Sequence, residues 1–318
     1  MKVLANDGIA KSGQLKLEEN GFTVVTENVP QEDLIAVINE LKYEVVLVRS
    51  ATKIRKDIID NCPSLKMIGR GGVGMDNIDV EYGREKGLVV FNTPASSSLA
   101  VAELVTAQLF SLARSVYDSD RQMPTNGKES FKALKKQYGK GIELRGKTLG
   151  IIGFGRIGQY TAKYALGLGM NVIAFDPFME KATVTVEVAN QSVAVEIKTS
   201  SLDELLGESD FISLHVPMPA DGNALISTAE FKKMKDGVRI VNAARGGVID
   251  EDALLVALES GKVNSVALDV FVGEPSPRED LLTNNRIALT PHIGAATVEA
   301  QDRIGTELAD NIIEFYKK

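Results

Sequence analysis

The sequence predicts an α/β fold made of two parallel-sheet domains. Three observations carry that expectation. The chain has 318 residues, too many for one ordinary hydrophobic core. Short apolar runs alternate with amphipathic stretches in both halves of the chain, the pattern of strand–helix–strand units. Six apolar runs in the second half each end in a polar or glycine signature. If those six runs are parallel strands, their signatures gather in the crevice outside the carboxyl ends, where open parallel sheets bind ligands.

The first alternation spans residues 2–97. Its strand candidates are Val3–Ala5, Phe22–Val25, Val45–Val48, Met67–Ile68 and Val89–Phe91. Between them, Gln31–Leu41 places Leu34, Ile35, Val37, Ile38 and Leu41 at helical spacing. Leu99–Ala113, with Ser98 as its N-cap, is apolar on nearly every face and reads as a buried helix. Residues 118–142 are polar and carry Lys128, Lys132, Lys135, Lys136 and Lys140, which reads as a solvated connecting segment. The second alternation supplies Thr148–Ile152, Asn171–Phe175, Phe211–Leu214, Gly237–Asn242, Ser265–Leu268 and Arg286–Leu289. Thr183–Lys198 breaks the pattern. Val184, Val186 and Val188 alternate, a polar Ala-Asn-Gln-Ser follows, and Val193, Val195 and Ile197 alternate again, so a hairpin at the sheet edge is expected. Thr297–Tyr316 closes as an amphipathic helix with Ile304, Leu308, Ile312 and Phe315 on one stripe.

Composition narrows the partners. A formal charge of -7 disfavours nucleic-acid and anionic-membrane surfaces, so neither partner is expected. The single cysteine, Cys62, rules out an intrachain disulfide and reads as an inert residue. Two histidines argue against a multi-His metal site, and no metal is expected. The N-terminal Met1-Lys-Val-Leu runs directly into a strand pattern, and no apolar run has membrane-spanning length, so a cytoplasmic location is expected.

Gly153-Phe-Gly-Arg-Ile-Gly158 follows a strand candidate and opens the helical run Arg156–Leu166. That context makes it a dinucleotide-binding turn in a Rossmann domain: glycines allow close backbone approach, and the helix N-terminus faces a pyrophosphate. Asp176 ends the next strand, where a carboxylate can accept from both ribose hydroxyls and would repel a ribose phosphate. NAD is therefore the expected cofactor. Hydride transfer from an alcohol also needs a base and a cation for an anionic substrate. His292, in Thr-Pro-His-Ile-Gly, is the candidate base, and Arg245, in Ala-Arg-Gly-Gly, the candidate carboxylate clamp. Glu274 could orient the imidazole and stabilise its protonated form.

These motifs, in the order Gly-Phe-Gly-Arg-Ile-Gly, His215-Val-Pro217, Asn242-Ala-Ala-Arg245-Gly-Gly, Leu268-Asp269-Val-Phe, Gly273-Glu274-Pro and Thr290-Pro-His292-Ile-Gly294, resemble the D-isomer-specific 2-hydroxyacid dehydrogenases. The resemblance covers essentially the whole chain. It implies that Arg245, Glu274 and His292 form the catalytic set. It implies cofactor contacts at Gly153, Gly155, Arg156, Ile157, Gly158, Asp176, His215, Pro217, Ala243, Asp269 and Gly294, with Asp269 on the nicotinamide carboxamide. It also implies a discontinuous, flavodoxin-like substrate domain over residues 1–97 and 294–318, a Rossmann domain over 98–293, and a homodimer.

Ile68-Gly-Arg70-Gly-Gly-Val-Gly74-Met-Asp-Asn-Ile-Asp and Pro291-His-Ile-Gly-Ala-Ala-Thr-Val-Glu-Ala-Gln301 are similar to the corresponding segments of the phosphoglycerate-oxidising members. That likeness implies a phosphorylated 2-hydroxy or 2-keto acid, specifically 3-phospho-D-glycerate and 3-phosphooxypyruvate, at the entry to serine biosynthesis. Substrate contacts carry over to Arg49, Arg70, Val73 and Gly74, with Lys135 or Lys136 as further phosphate candidates. Glyoxylate, hydroxypyruvate or D-lactate reduction is the alternative, and an NAD-sensing corepressor a more distant one. Where many members carry asparagine after Asn-Thr-Pro, this chain has Ser96-Ser-Ser98. The sequence stops after one C-terminal helix, so feedback through an appended serine-sensing domain is not expected.

Overall fold

A computed structural model describes residues 1–219 and 221–317. The chain forms two compact units, Met1–Ser98 with Ala295–Lys318, and Leu99–Gly294. The first unit opens with β1 (Lys2–Ala5), α1 (Lys11–Glu19), β2 (Thr23–Val25), α2 (Leu34–Leu41) and β3 (Val45–Val48). It continues through α3 (Lys56–Asn61), β4 (Met67–Arg70), α4 (Val80–Glu85) and β5 (Val89–Asn92). The five strands form one all-parallel sheet in the order β2-β1-β3-β4-β5. β3 is buried along its whole length, as expected of a strand covered on both faces. α2 starts three residues later than the spacing suggests, because residues 31–33 form a turn. It buries Leu34 and Ile38 and leaves Leu41 exposed. Cys62 is buried in this unit's core, and burial pushes its thiol up to about 11, so it stays protonated and unreactive.

The second unit begins with α5 (Ser98–Arg114) and α6 (Val116–Tyr138), then β6 (Thr148–Ile152), α7 (Arg156–Gly167), β7 (Asn171–Phe175), β8 (Lys181–Val188) and β9 (Gln191–Lys198). It goes on through α8 (Leu202–Glu208), β10 (Phe211–Leu214), α9 (Thr228–Lys233), β11 (Val238–Asn242), α10 (Glu251–Glu259), β12 (Val263–Leu268), α11 (Glu279–Leu282) and β13 (Ile287–Leu289). Six of these strands form a second all-parallel sheet, β13-β12-β11-β10-β6-β7. β7 lies on one side of β6 and β10 on the other, so the chain reverses its direction of winding around β6. That switch point opens a crevice at the carboxyl end of β6, where the Gly153 turn sits.

Of residues 118–142, all but the last four are helical. Pro124, Asn126 and Gly127 disguise a 23-residue helix, α6, whose non-helical turn at Ser130 absorbs the irregularity. Asp118, Gly127 and Leu134 are buried, and Tyr138 Oη donates to Asp118 Oδ2 at 2.7 Å, so tertiary contacts outweigh the poor helix propensity. Lys128, Lys132, Lys135 and Lys136 lie on this helix and are exposed. Ser98 is not an N-cap either: it is already helical, and its hydroxyl donates back to the Pro94 carbonyl at 3.0 Å. α5 buries Val105, Leu109, Leu112 and Ala113, but leaves Phe110 45% exposed, so it is not covered all round. β8 and β9 form a separate antiparallel ribbon whose turn is only Ala189-Asn190, with Ala189 at φ 53°. Its root, Val184 and Ile197, joins the core, and a bridge from Ala174 to Thr199 sets it beside β7. Among the described residues no single helix is long and apolar enough to cross a membrane. α5 and α6 pass that test only as a pair bent by 61°.

The last helix, α12 (Val298–Lys317), packs on α1 and β4 of the first unit and buries Ile304, Leu308 and Ile312. It crosses α1 at two glycines: a Cβ on Gly13 would lie 2.3 Å from the Gly305 carbonyl oxygen. Backbone meets backbone there, so no side-chain rotation can relieve a clash. Gly13→Ala is expected to destabilise the protein by about 1–3 kcal/mol. Urea unfolding followed by far-UV circular dichroism checks this, since the chain has no tryptophan to report by fluorescence.

Candidate active site

Two glycines of the nucleotide turn are fixed by packing. Gly153 has φ 91°, and a Cβ on it would fall 2.6 Å from the His215 carbonyl oxygen. A Cβ on Gly158 would fall 2.2 Å from the Gly153 carbonyl oxygen, so α7 can approach β6 only without a side chain there. Gly155 differs: a Cβ there meets nothing within 4 Å. The space beside it lies open at the N-terminus of α7, where Arg156 and Ile157 begin the helix and unpaired N–H groups favour an anion. Asp176 holds this turn from the next strand. Its Oδ2 accepts from Phe154 N–H at 2.8 Å and its Oδ1 from Phe178 N–H at 2.9 Å. Each oxygen keeps a further lone pair for a hydroxyl.

His215 follows β10 in the same crevice. Its Nε2 shares a 2.9 Å hydrogen bond with Ser213 Oγ, while Nδ1 is buried with no partner among the described residues. Burial drives its pKa down to about 3, so the ring is neutral and cannot serve as a base that cycles near neutral pH. An orphaned polar atom, an open glycine, free helix-end amides and a carboxylate at the next strand together suit a bound dinucleotide. Pro217 lies exposed two residues on, and Ala243, after β11, is part-buried.

The remaining loops bring Arg245, Glu274 and His292 to one cavity. Buried Asn242 shapes the Arg245 loop: its Nδ2 donates to the Arg245 carbonyl at 3.0 Å and its Oδ1 accepts from Ala244 N–H at 3.1 Å. The Arg245 guanidinium donates from Nη1 to the Ala244 carbonyl at 2.6 Å. Gly246 then passes against the next loop, where a Cβ would sit 2.0 Å from the Phe271 carbonyl oxygen. Glu274 Oε1 accepts from Phe271 N–H at 2.9 Å, and its Oε2 lies 2.8 Å from His292 Nδ1. A carboxylate on Nδ1 fixes the ring so that Nε2 carries the free lone pair. His292 itself sits at φ 54°.

Asp269 holds that strained turn. It is 3% exposed; Oδ1 accepts from Thr290 Oγ1 and Ile293 N–H, and Oδ2 from Gly294 N–H, at 2.7–2.9 Å. Three of a carboxylate's roughly four acceptor positions are thus used inside the protein, leaving one for a ligand donor. A cavity of about 380 Å³ is lined by Arg245, Glu274 and His292 together with Met218, Gly247 and Val272.

In the first unit, Arg49 follows β3, Arg70 ends the neighbouring β4, and both flank the Gly71–Gly74 loop. A Cβ on Gly71 would lie 3.8 Å from Arg49 Cγ, and one on Gly72 would overlap Arg70 Nη1. Thr93 clamps the loop by accepting from Gly72 N–H at 2.8 Å, and Asn92 Nδ2 donates to the Val73 carbonyl. Val73 is exposed and Gly74 part-buried. Ser96 is engaged inside this unit: its hydroxyl donates to Glu307, and its carbonyl accepts from Arg303 Nε at 3.0 Å. Asn242, Ser213, Thr290 and Thr93 escaped the sequence reading. Asn242 and Thr290 stand inside quoted motifs, yet an asparagine or threonine shows no role until its hydrogen bonds are seen.

This fold and crevice define an NAD-dependent dehydrogenase of the two-unit α/β class. The profile of the D-isomer specific 2-hydroxyacid dehydrogenase, NAD binding domain, matches residues 106–294. The hydroxypyruvate reductase of Thermotoga maritima is 44% identical over 317 residues, covering 98% of this chain and 97% of that protein. The D-3-phosphoglycerate dehydrogenase of Archaeoglobus fulgidus is 41% identical over all of this chain, which spans 58% of that longer protein. The structure of the Aquifex aeolicus D-lactate dehydrogenase, complexed with NAD and lactic acid, superposes with a TM-score of 0.78 at 29% identity, covering all of this chain and 96% of that one. The chain belongs to the D-isomer-specific 2-hydroxyacid dehydrogenases, and its cofactor is NAD.

Burial of neutral His215 has a thermodynamic consequence. The unfolded chain takes up a proton near pH 6.5, whereas the folded one resists until about pH 3. Stability from this residue is complete above pH 6.5 and falls with pH below it, by at most about 1.4 kcal/mol per pH unit. Urea midpoints measured between pH 7.5 and 5 should fall more steeply for wild type than for His215→Asn.

Proposed function

We propose that this dehydrogenase acts on a phosphorylated three-carbon acid, interconverting 3-phospho-D-glycerate and 3-phosphooxypyruvate. The observation that carries this reading is the pair of arginines, Arg49 and Arg70, flanking one glycine loop in the first unit. Two guanidinium groups suit a substrate with two anionic ends, and Val73 and Gly74 offer backbone amides to the carboxylate. On this reading residues 1–97 and 294–318 serve as the substrate domain and 98–293 as the NAD domain. The protein works as a homodimer through the uncovered Phe110 face of α5.

In the proposed mechanism His292 Nε2 accepts the C2 hydroxyl proton. Glu274, bonded to Nδ1, stabilises the imidazolium that forms and keeps Nε2 aimed. Arg245 swings from the Ala244 carbonyl to the substrate carboxylate and the developing C2 carbonyl. The Gly153–Gly158 turn, Asp176 and His215 would hold NAD, whose nicotinamide would supply the acceptor for the hydride from C2. Asp269 holds the His292 turn, and its remaining acceptor site would be free to hold the nicotinamide carboxamide.

A second reading, reduction of hydroxypyruvate, is favoured by the 44% identity to the Thermotoga maritima hydroxypyruvate reductase along nearly its whole length. The catalytic groups would be the same; only the demand for a phosphate-binding cation differs.

His292→Ala is expected to lower kcat by about 10²–10⁴-fold in an NADH absorbance assay, and near-wild-type turnover would exclude the base assignment. In the same assay, phosphooxypyruvate should be reduced with a higher kcat/KM than hydroxypyruvate or glyoxylate. Arg70→Ala should cost about 10-fold or more on the phosphorylated substrate alone, the value of one charge-assisted pair. Equal losses on all three acids would favour the second reading.

A further inference from the structure

The loop that carries Glu274 is exposed from Val272 to Ser276, so few bonds set its position. Phe271 N–H donates to Glu274 Oε1 at 2.9 Å. The next amide, Val272 N–H, donates to Glu251 Oε1, also at 2.9 Å. Two carboxylates thus hold two consecutive amides of one turn. Glu251 is the first residue of α10, and α10 follows directly from the segment that begins at Arg245. Asp250 caps the helix by accepting from Ala253 N–H at 3.0 Å, which fixes the direction in which Glu251 leaves the backbone. Its neighbour Asp252 accepts from Arg278 Nη1 at 2.7 Å, at the far end of the Glu274 loop. The start of α10 therefore grips that loop at residues 272 and 278. Gly246 meets the same loop at Phe271 from the Arg245 side. Glu251 is part-buried, and desolvation raises its pKa, yet the Val272 amide and the Arg278 charge oppose that rise.

We infer that Glu251 is a positioning residue for the reaction: by holding Val272 N–H it keeps the Glu274 carboxylate on His292 and in register with the Arg245 loop. The inference rests on the reading of His292 as the base and Glu274 as its partner. Catalysis is sensitive to such placement, because a displacement of about 1 Å can cost about 10²-fold in rate.

The test compares Glu251→Ala with Glu251→Gln, whose amide oxygen can still accept from Val272. Glu251→Ala should lower kcat by roughly 10-fold to 100-fold with KM for NAD unchanged. A loosened Glu274 stabilises imidazolium less, so the acid limb of the kcat–pH profile for alcohol oxidation should move to lower pH. Glu251→Gln should restore both kcat and the limb. Wild-type kcat and profile in Glu251→Ala, or equal impairment of the two variants, would overturn the inference. If Glu251→Ala does not fold by circular dichroism, Glu251→Asp, whose carboxylate is one methylene too short for the Val272 amide, should move the limb in the same direction, and an unmoved limb overturns it. His292→Ala measured alongside separates the two failures: an active His292→Ala removes the base assignment, whereas an inactive one beside an unaffected Glu251→Ala removes only the role given to Glu251.

Discussion

At the carboxyl edge of the six-stranded sheet, three pieces of backbone pass one another at distances no side chain would survive. Gly158 lies against Gly153, Gly153 against the His215 carbonyl, and Gly246 against the Phe271 carbonyl. The first packs α7 back onto the turn after β6, and the other two each bring a loop from one strand onto a loop from another. The parallel arrangement makes this possible, since every strand ends on the same side and sends its loop into the same space. Much of the site depends on this crowding. It sets the nucleotide turn beside His215, and it sets the Arg245 loop beside the loop that carries Glu274.

The two histidines of the chain show how position divides labour between identical side chains. His215 is surrounded closely enough that charge is excluded, and among the described residues its ring is partnered by a hydroxyl alone. It can offer a neutral hydrogen-bonding atom to a ligand and little else. His292 is exposed and has a carboxylate on Nδ1, so a positive ring would meet a compensating charge. The strained φ of His292 is tolerated because Asp269 accepts three hydrogen bonds from the surrounding turn, more than enough to offset a cost of about 1–3 kcal/mol. Asp269 thus serves the architecture of the Glu274–His292 pair whatever else it binds.

Strands were the most legible part of the sequence. Val45–Val48, Thr148–Ile152 and Phe211–Leu214 have the ends that their apolar runs suggest, because a strand buried on both faces announces itself without any partner. α6 was the least legible. Its proline, asparagine and glycine oppose a helix locally, and only burial of Asp118 and Leu134 reverses the balance. The ribbon of β8 and β9 lay between these cases: alternation marked its strands, but the turn was narrower than the polar stretch around it.

The sequence alone determined the two-sheet α/β class and singled out the Gly153–Gly158 turn, Arg245, Glu274 and His292 as candidates, since glycine spacing, apolar periodicity and motif order are properties of the linear chain. Tertiary structure decided which of these groups meet. The 2.8 Å pairing of Glu274 with His292, the three hydrogen bonds to Asp269 and the hold of Glu251 on Val272 join residues 18 to 25 positions apart. Such contacts follow from the register of parallel strands and the close approach of glycine backbones, which no single segment encodes.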